Sequence, residues 1–464
     1  MARICLNMIV KNEAHVIRRC LDNIGHIVDA LAIVDTGSTD ETIALMTAWQ
    51  EEKKIPGKII SRPWVNFGHN RTEALRHGES VVKEILSNST QQTERWYFFF
   101  MDADDLAYAV EKDSKKLLSF NKTELTLDAY TIEMRSSSIS YDRTLFLRYD
   151  ETKKWKWYGP VHEYVGENPA PGKPGGWKAQ FGKIKGNYVN SLREGARSKD
   201  PLKYLRDALE FEKALLEEPK NDRYLYYRAQ SYKDAGHADI AEKFFRLRAA
   251  GPGGEWKNWN DEYTYLAYVE AAKIRIERNV WDHETRDLLE KAFEKRPHRL
   301  EAPFWLVFML RRQDKFVMGW TIAKDLVNAP YPQDQIFVDA DIHTWRLADE
   351  AALCAYYAND HVAYNELSQR VLACPSAWPD VKKRVDANLK AFPPKLPVAP
   401  VALAEVKGVG KTQERLRKKL LEKALMEPTT APIVASNGAA IQQEKGPAGA
   451  SNLDATKKRK KGKK

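Results

Sequence analysis

The sequence predicts an α/β domain with a doubly wound, mixed sheet, then an all-α helical-repeat domain, then a disordered basic tail. Three observations carry this. Short apolar runs alternate with amphipathic segments over residues 1–100, the pattern turns helical after Asp200, and Pro-rich, then basic and low-complexity, composition collects after Pro393. At 464 residues, 43% hydrophobic and 11% aromatic, the chain is too long for one ordinary core and apolar enough for two. The expected boundaries are 1–195, 196–392 and 393–464.

Residues 4–10 read as the first strand. They are broken by Asn7 and run into Lys-Asn-Glu with no small-residue cleavage site, which argues against a signal peptide. A helix follows with apolar positions Ala14, Ile17, Leu21 and Ile24, then a strand at 30–34, a helix at 39–50, a strand at 58–61, a helix at 71–86 and a strand at 96–101. Strands alternating with helices imply parallel pairing. The continuous apolar run 96–101 fits a sheet covered on both faces and is far short of a membrane span. Strand-like segments at 129–135, 139–148 and 184–190 complete the domain around a Pro/Gly-rich stretch at 168–177.

Beyond residue 200 a tetratricopeptide-like repeat of about 34 residues fits the spacing. Leu225, Tyr232 and Phe245 take its large slots, with Ala229 and Ala241 in the small ones. A second copy sets Leu347, Ala351, Ala363, Leu367 and Pro375 in corresponding slots, and 271–297 and 302–328 read as degenerate copies. A generic helical bundle would show the same periodicity. Either way this is a helical platform without chemistry of its own.

The formal charge of +10 sits in the tail, where residues 404–464 hold 15 Lys or Arg against 6 Asp or Glu. The body is therefore almost neutral, and nucleic acid is not an expected partner except through the tail. An apolar, basic helix at 406–426 is expected, with disorder from 428 and a terminal lysine run resembling an import or polyanion-binding patch. The four cysteines are far apart and lack C-x-x-C spacing, as for reduced thiols of a cytoplasmic protein. The tail would account for a nuclear fraction.

Ligands of open α/β sheets bind beyond the carboxyl ends of the strands. Three such ends carry polar residues: Lys11-Asn12-Glu13, Asp35-Thr36-Gly37-Ser38-Thr39-Asp40 and Asp102-Ala103-Asp104-Asp105. Two carboxylates two residues apart after a buried strand suit a hard divalent cation, which takes one or two carboxylates and substrate phosphate oxygens. Asp35 at a strand tip is placed to accept hydrogen bonds from a base or ribose. Ser38 and Glu41 form a capping-box pattern for the next helix.

These three motifs together resemble family 2 glycosyltransferases of the GT-A fold. More narrowly, they resemble the bacterial-type branch fused to tetratricopeptide repeats, which includes peptide S-glycosyltransferases of bacteriocin clusters. Arg62-Pro63-Trp64-Val65-Asn66-Phe67-Gly68-His69-Asn70-Arg71-Thr72, Val161-His162-Glu163-Tyr164 and Gly195-Ala196-Arg197-Ser198-Lys199-Asp200-Pro201 extend the resemblance over residues 3–390. It implies a hexosyltransferase using a nucleotide-sugar donor, a UDP-sugar, with Mn2+ or Mg2+. Glu13 and Asp35 match positions that hold the nucleoside, Asp102 and Asp104 the metal-diphosphate motif, and Arg71 a basic position near the nucleotide. For Arg71 the alternative is a surface ion pair with Glu73 or Glu79. His69 and Asn70 are weaker candidates for the same pocket.

The resemblance also implies inversion of configuration, which requires a base for the acceptor. The pair His162-Glu163 is the candidate, with His162 alternatively a third metal ligand beside Asp102 and Asp104 and Glu163 or Asp105 the base. Of Trp155, Trp157 and Tyr158, one is expected in the core and one against the acceptor. The acceptor is a protein, peptide or glycan, with a homodimer through the repeat domain a further expectation. The competing reading is an inactive scaffold with a polyanion-binding tail, which the intact Asp102/Asp104 pair disfavours. A nucleotidyltransferase would carry a Gly-rich phosphate loop where Lys11-Asn12-Glu13 stands.

Overall fold

The computed structural model describes residues 1–394 except 89–93, 111–115, 137–138, 170–172, 174, 252–260 and 335. The predicted tail helix, disorder and lysine patch lie outside the described residues. The chain divides into two compact units, Met1–His237 and Ala238 onward.

In the first unit the chain runs β1 (Arg3–Val10), α1 (Ile17–Ile24), β2 (Ala30–Asp35), α2 (Thr42–Lys53), β3 (Gly57–Ser61), α3 (Phe67–Ser87) and β4 (Trp96–Phe100). It continues with β5 (Asp105–Ala109), β6 (Ala129–Ser136), β7 (Ile139–Arg148), β8 (Lys154–Tyr158), β9 (Tyr164–Asn168), β10 (Phe181–Ser191), α4 (Lys203–Glu217) and α5 (Asp222–Asp234). Eight strands form one mixed sheet in the order β3-β2-β1-β4-β7-β6-β10-β5, and β8 and β9 form a separate hairpin. The pairs β2–β3, β1–β2 and β1–β4 are parallel, whereas β4–β7 and β6–β7 are antiparallel. The strand order reverses between β1 and β4, the switch point where such sheets open a crevice for ligands.

The apolar runs become the middle of this sheet because parallel strands are covered on both faces. Every residue of β2 and β4 is buried. Each fully buried large apolar side chain contributes about 1.5–3 kcal/mol. Phe99 of β4 stacks on Phe146 of β7 with centroids 4.4 Å apart, fixing the antiparallel register Phe99↔Phe146. Extending that register past the end of β4 sets Arg143 of β7 opposite Asp102.

Two local expectations are corrected. Asp105 belongs to a strand, β5, rather than to the turn. Ser38 does not cap α2, whose first turn follows Glu41 without a side-chain cap. The Ser38 hydroxyl accepts instead from the Asn12 N–H at 2.9 Å, while Asp40 accepts from Thr42 N at 3.0 Å.

The second unit holds α6 (Ala238–Ala250), α7 (Asp261–Glu277), α8 (His283–Lys295), α9 (Glu301–Arg312), α10 (Phe316–Ala323), α11 (Leu347–Tyr357), α12 (His361–Ala373) and α13 (Pro379–Ala391). Helices α7–α8, α9–α10 and α11–α12 pack as neighbouring pairs, matching the spans expected of three repeats. Leu347, Ala351 and Leu367 are buried in their shared core, as the large and small slots require. The repeat expected around Leu225–Phe245 falls on α5 and α6, one on each side of the unit boundary. Cys5, Cys20 and Cys354 are buried free thiols. Among the described residues no helix is long and apolar enough to cross a membrane.

Candidate active site

The loops after β1 and β2 are latched to each other by short polar side chains. Asn12 sits in the left-handed region at φ 57° and its Oδ1 accepts from Thr39 N at 2.8 Å. Glu13 N donates to Thr42 Oγ1 at 2.8 Å, and Ala14 N to Asp40 Oδ2 at 3.2 Å. Asp35, buried at the tip of β2, accepts from Gly37 N at 3.0 Å and from Ser38 N at 3.1 Å. The two loops thus form one rigid rim beyond the carboxyl ends of β1 and β2.

Glu13 and Asp104 meet at a segment far along the chain. Asp104 Oδ2 accepts from Gly195 N at 2.8 Å, and Glu13 accepts from Ala196 N at 3.1 Å. Burial pushes the Glu13 carboxyl up to about 7, against the Ala196 N–H and with help from the Asp104 charge. The motif beginning at Gly195 therefore closes this side of the site through its backbone, with no side chain at Gly195 to separate the two carboxylates.

Four charged side chains form the centre. Arg71 of α3, with a side chain 5% exposed, donates to Asp102 Oδ1 at 2.5 Å and to Glu163 Oε1 at 2.7 Å. Arg143 of β7 donates to Asp102 Oδ2 at 3.2 Å and to Glu163 Oε1 at 3.4 Å. Two cations and two carboxylates balance, which is the condition for placing charge inside a protein at all. Burial works against the charged form of Asp102, but Arg71 and Arg143 override it and hold the carboxyl well below the usual range. Asp105 goes the other way: burial and the charges of Asp102 and Asp104 raise it well above a carboxylate's ordinary value. Neighbouring carboxylates with opposite shifts are a feature of sites that move protons.

The structure thus brings Arg71, Asp102 and Glu163 together, with Asp104, Asp105 and Glu13 nearby, and settles Arg71 as a buried partner rather than a surface one. Arg143 escaped the sequence reading. It lies in an alternating strand, where a charged residue reads as solvent-facing, and only the β4–β7 register reveals it.

His162 is not brought to Asp102 and Asp104. Among the described residues no three His, Cys, Asp or Glu side chains gather as a metal-holding cluster. The imidazole stacks on Tyr227 with centroids 4.6 Å apart. Burial lowers its pKa to about 4, with Arg197 and Arg223 adding to the effect, so the ring is neutral at pH 7. Asn70 is spent structurally, accepting from Val65 N at 2.9 Å and donating to Pro63 O at 2.9 Å. Trp155 and Trp157 are both core, each 2% exposed, and the Tyr158 hydroxyl donates to Glu167 O at 2.8 Å.

His69 lies on another face of α3, lining a groove of about 970 Å3 with Glu73, Arg76, Tyr158 and Glu217. Glu13, Asp35, Arg71, Asp102, Asp104 and Glu163 are not among that groove's lining. Arg71 and Arg76 leave α3 on different sides because side chains about a turn and a half apart point apart.

The Glu163 loop docks closely on the start of α3. Phe67 N donates to Pro160 O at 3.0 Å, and a Cβ on Gly68 would stand 2.3 Å from Gly159 O. Gly68→Ala is therefore expected to cost about 1–3 kcal/mol by overpacking against backbone. A thermal melt of the variant, with a Tm drop of several degrees, checks this; an unchanged Tm would mean the loop is not seated there.

With this geometry in place, comparison with known proteins decides the class. The family model "Glycosyl transferase family 2" matches residues 5–118. The chain carries a family 2 glycosyltransferase domain. An "Uncharacterized glycosyltransferase" of Rickettsia felis is 34% identical over 118 residues, covering 24% of this chain and 40% of that one. A "TPR repeat-containing protein" of Synechococcus elongatus is 36% identical over 76 residues, 16% of this chain and 17% of that one. The chain thus spans two fifths or less of the length of these curated relatives. A solved structure, a "thermophilic TPR protein" of Thermus thermophilus, aligns over 40% of this chain and 91% of its own with 15% identity and a TM-score of 0.28. The glycosyltransferase match holds β1 to β5, hence Glu13, Asp35, Arg71, Asp102, Asp104 and Asp105. Arg143, Glu163 and the segment at Gly195 lie beyond it.

Proposed function

We propose that the protein transfers a hexose from a UDP-sugar to a protein, peptide or glycan acceptor, with a divalent cation and inversion at the anomeric carbon. The observation that carries this reading is the charge-balanced quartet of Arg71, Arg143, Asp102 and Glu163 at the switch point of a family 2 sheet.

Asp102 and Asp104 are the residues that would hold Mn2+ or Mg2+. Their hard oxygens suit an ion that takes one or two carboxylates and leaves the rest of its shell to phosphate and water. The buried Asp105 Oδ1 beside them, without a hydrogen-bond partner in the structure, fits a site completed by a bound group. When bound, the cation supplies charge neutralisation for the departing nucleoside diphosphate.

The chain's own residues do the rest. Glu13 and Asp35, on the latched rim, hold the nucleoside. Glu163 takes the acceptor's proton as the acceptor oxygen bonds the anomeric carbon and the bond from that carbon to the diphosphate breaks. Both arginine contacts go to Oε1 of Glu163, which leaves Oε2 for the proton. Attack from the face opposite the leaving group inverts the configuration.

The test is metal-dependent donor hydrolysis by the full-length protein with a panel that includes UDP-glucose and UDP-N-acetylglucosamine. Nucleoside diphosphate release should need Mn2+, stop with EDTA, and fall at least ~100-fold in Asp102→Ala/Asp104→Ala, since removing one electrostatic stabiliser costs about that much. Release that EDTA or the double substitution leaves unchanged would sink the metal-site reading.

A further inference from the structure

The loop that carries Glu163 is gripped by helices outside the segment that matches the transferase family. On one side it docks on α3 through the Phe67 N–H to Pro160 O bond. On the other it meets α4 and α5, which belong to the same compact unit. His162 turns the chain at φ 50°, a left-handed conformation that a non-glycine residue keeps only when its surroundings hold it. Tyr227 of α5 lies under the His162 ring at 4.6 Å and 23°, and Phe211 of α4 extends the stack at 6.3 Å and 8°. Arg223 of α5 donates to His162 O at 2.8 Å and lies over the rings of Tyr227 at 4.6 Å and Tyr164 at 5.2 Å. Both residues flanking Glu163 are therefore pinned to α5, one by its ring and carbonyl, the other by a guanidinium.

We propose that α4 and α5 form a positioning platform for Glu163, with Tyr227 and Arg223 holding the 159–164 loop in the shape that delivers the carboxylate to Arg71 and Arg143. The proposal deepens the functional reading above and rests on Glu163 as the base. It makes His162 a positioning residue. The platform is needed because His162, a non-glycine residue at φ 50°, occupies a left-handed backbone state that relaxes once the stack is removed. Glu163 sits one residue from His162, so a shift of the ring is a shift of the base.

The experiment compares full-length Tyr227→Ala, Arg223→Ala and Tyr227→Phe with the native protein in three readouts. These are amide hydrogen exchange at 159–164, kcat and KM for Mn2+-dependent hydrolysis of UDP-glucose or UDP-N-acetylglucosamine, and calorimetric affinity for UDP with Mn2+. In Tyr227→Ala exchange at the loop should rise and kcat fall by ~10- to 100-fold, the scale of a misplacement of about 1 Å, while KM and UDP affinity stay within about threefold. Arg223→Ala should do the same more weakly. Tyr227→Phe keeps the ring and should return both loop exchange and kcat to native values. Unchanged exchange in Tyr227→Ala, raised exchange without loss of kcat, or loss of UDP affinity in step with kcat overturns the platform. If the native protein hydrolyses neither donor, the transferase reading fails on its own, and loop exchange still decides whether α5 holds the loop.

Discussion

Arg71→Ala is expected to cost about 3–5 kcal/mol, because it breaks a buried ion pair and leaves a carboxylate uncompensated. The loss falls chiefly on Glu163, whose side chain is 8% exposed, and less on Asp102, which is 35% exposed and partly screened by water. Arg143 remains near both, but at 3.2 and 3.4 Å it makes the weaker contacts. For a unit of this size the change corresponds to a Tm drop of roughly 10 °C. Arg71→Lys should rescue little, since one ammonium cannot reproduce a planar fork that serves two carboxylates.

A double substitution separates stability from function. Replacing both partners by apolar residues of similar length removes the uncompensated charge and is often neutral for stability. Arg71→Met/Glu163→Met should therefore recover most of the Tm lost by Arg71→Met alone while remaining inactive in donor hydrolysis. Calorimetry of the two single variants and the double variant closes the cycle. If the double variant is as unstable as Arg71→Met, the quartet is not a coupled unit, and the charge balance inferred from its geometry is wrong.

Much of the fold was legible because the first strands are continuous apolar runs whose burial leaves no choice of face. The runs at 4–10, 30–34 and 96–101 became β1, β2 and β4 in the expected parallel arrangement. Less legible was what depends on a partner distant in sequence. Arg71, Asp102 and Glu163 stand 31 and 92 residues apart as bonded pairs, and no local pattern announces that they meet. Ser38 failed as a cap for a related reason: Asn12, 26 residues away, captured its hydroxyl. Helical periodicity marked α4 and α5 as helices but was silent on what they pack against. Hence their membership in the unit that holds the candidate site came only from the fold. His162 was read through its chemistry, whereas its stacking on Tyr227 reflects the flat apolar faces of the ring.

Glu163→Gln is expected to lower kcat for donor hydrolysis and transfer by about 100- to 10,000-fold, the range of a lost general base. The substitution keeps the size and one acceptor oxygen but unbalances the quartet by one charge. The loop should stay seated while the Tm falls by less than in Arg71→Ala, because both arginines keep Asp102 and an amide oxygen. Donor affinity should be preserved or tightened, because neutralising one carboxylate leaves Arg71 and Arg143 with a net positive charge to offer the diphosphate. A fall in kcat without a rise in KM is the signature of an interaction made in the transition state. Asp105→Asn supplies the discriminating comparison. Burial and the charges of Asp102 and Asp104 raise the Asp105 carboxyl above its ordinary value, which makes it the carboxylate to compare with Glu163. With Glu163 as the base, Asp105→Asn removes no proton acceptor from the reaction and should retain activity within about threefold. Should Asp105→Asn lose activity as Glu163→Gln is expected to, with Glu163→Gln nearly native, the base is Asp105, and the quartet serves only to hold Asp102 in place.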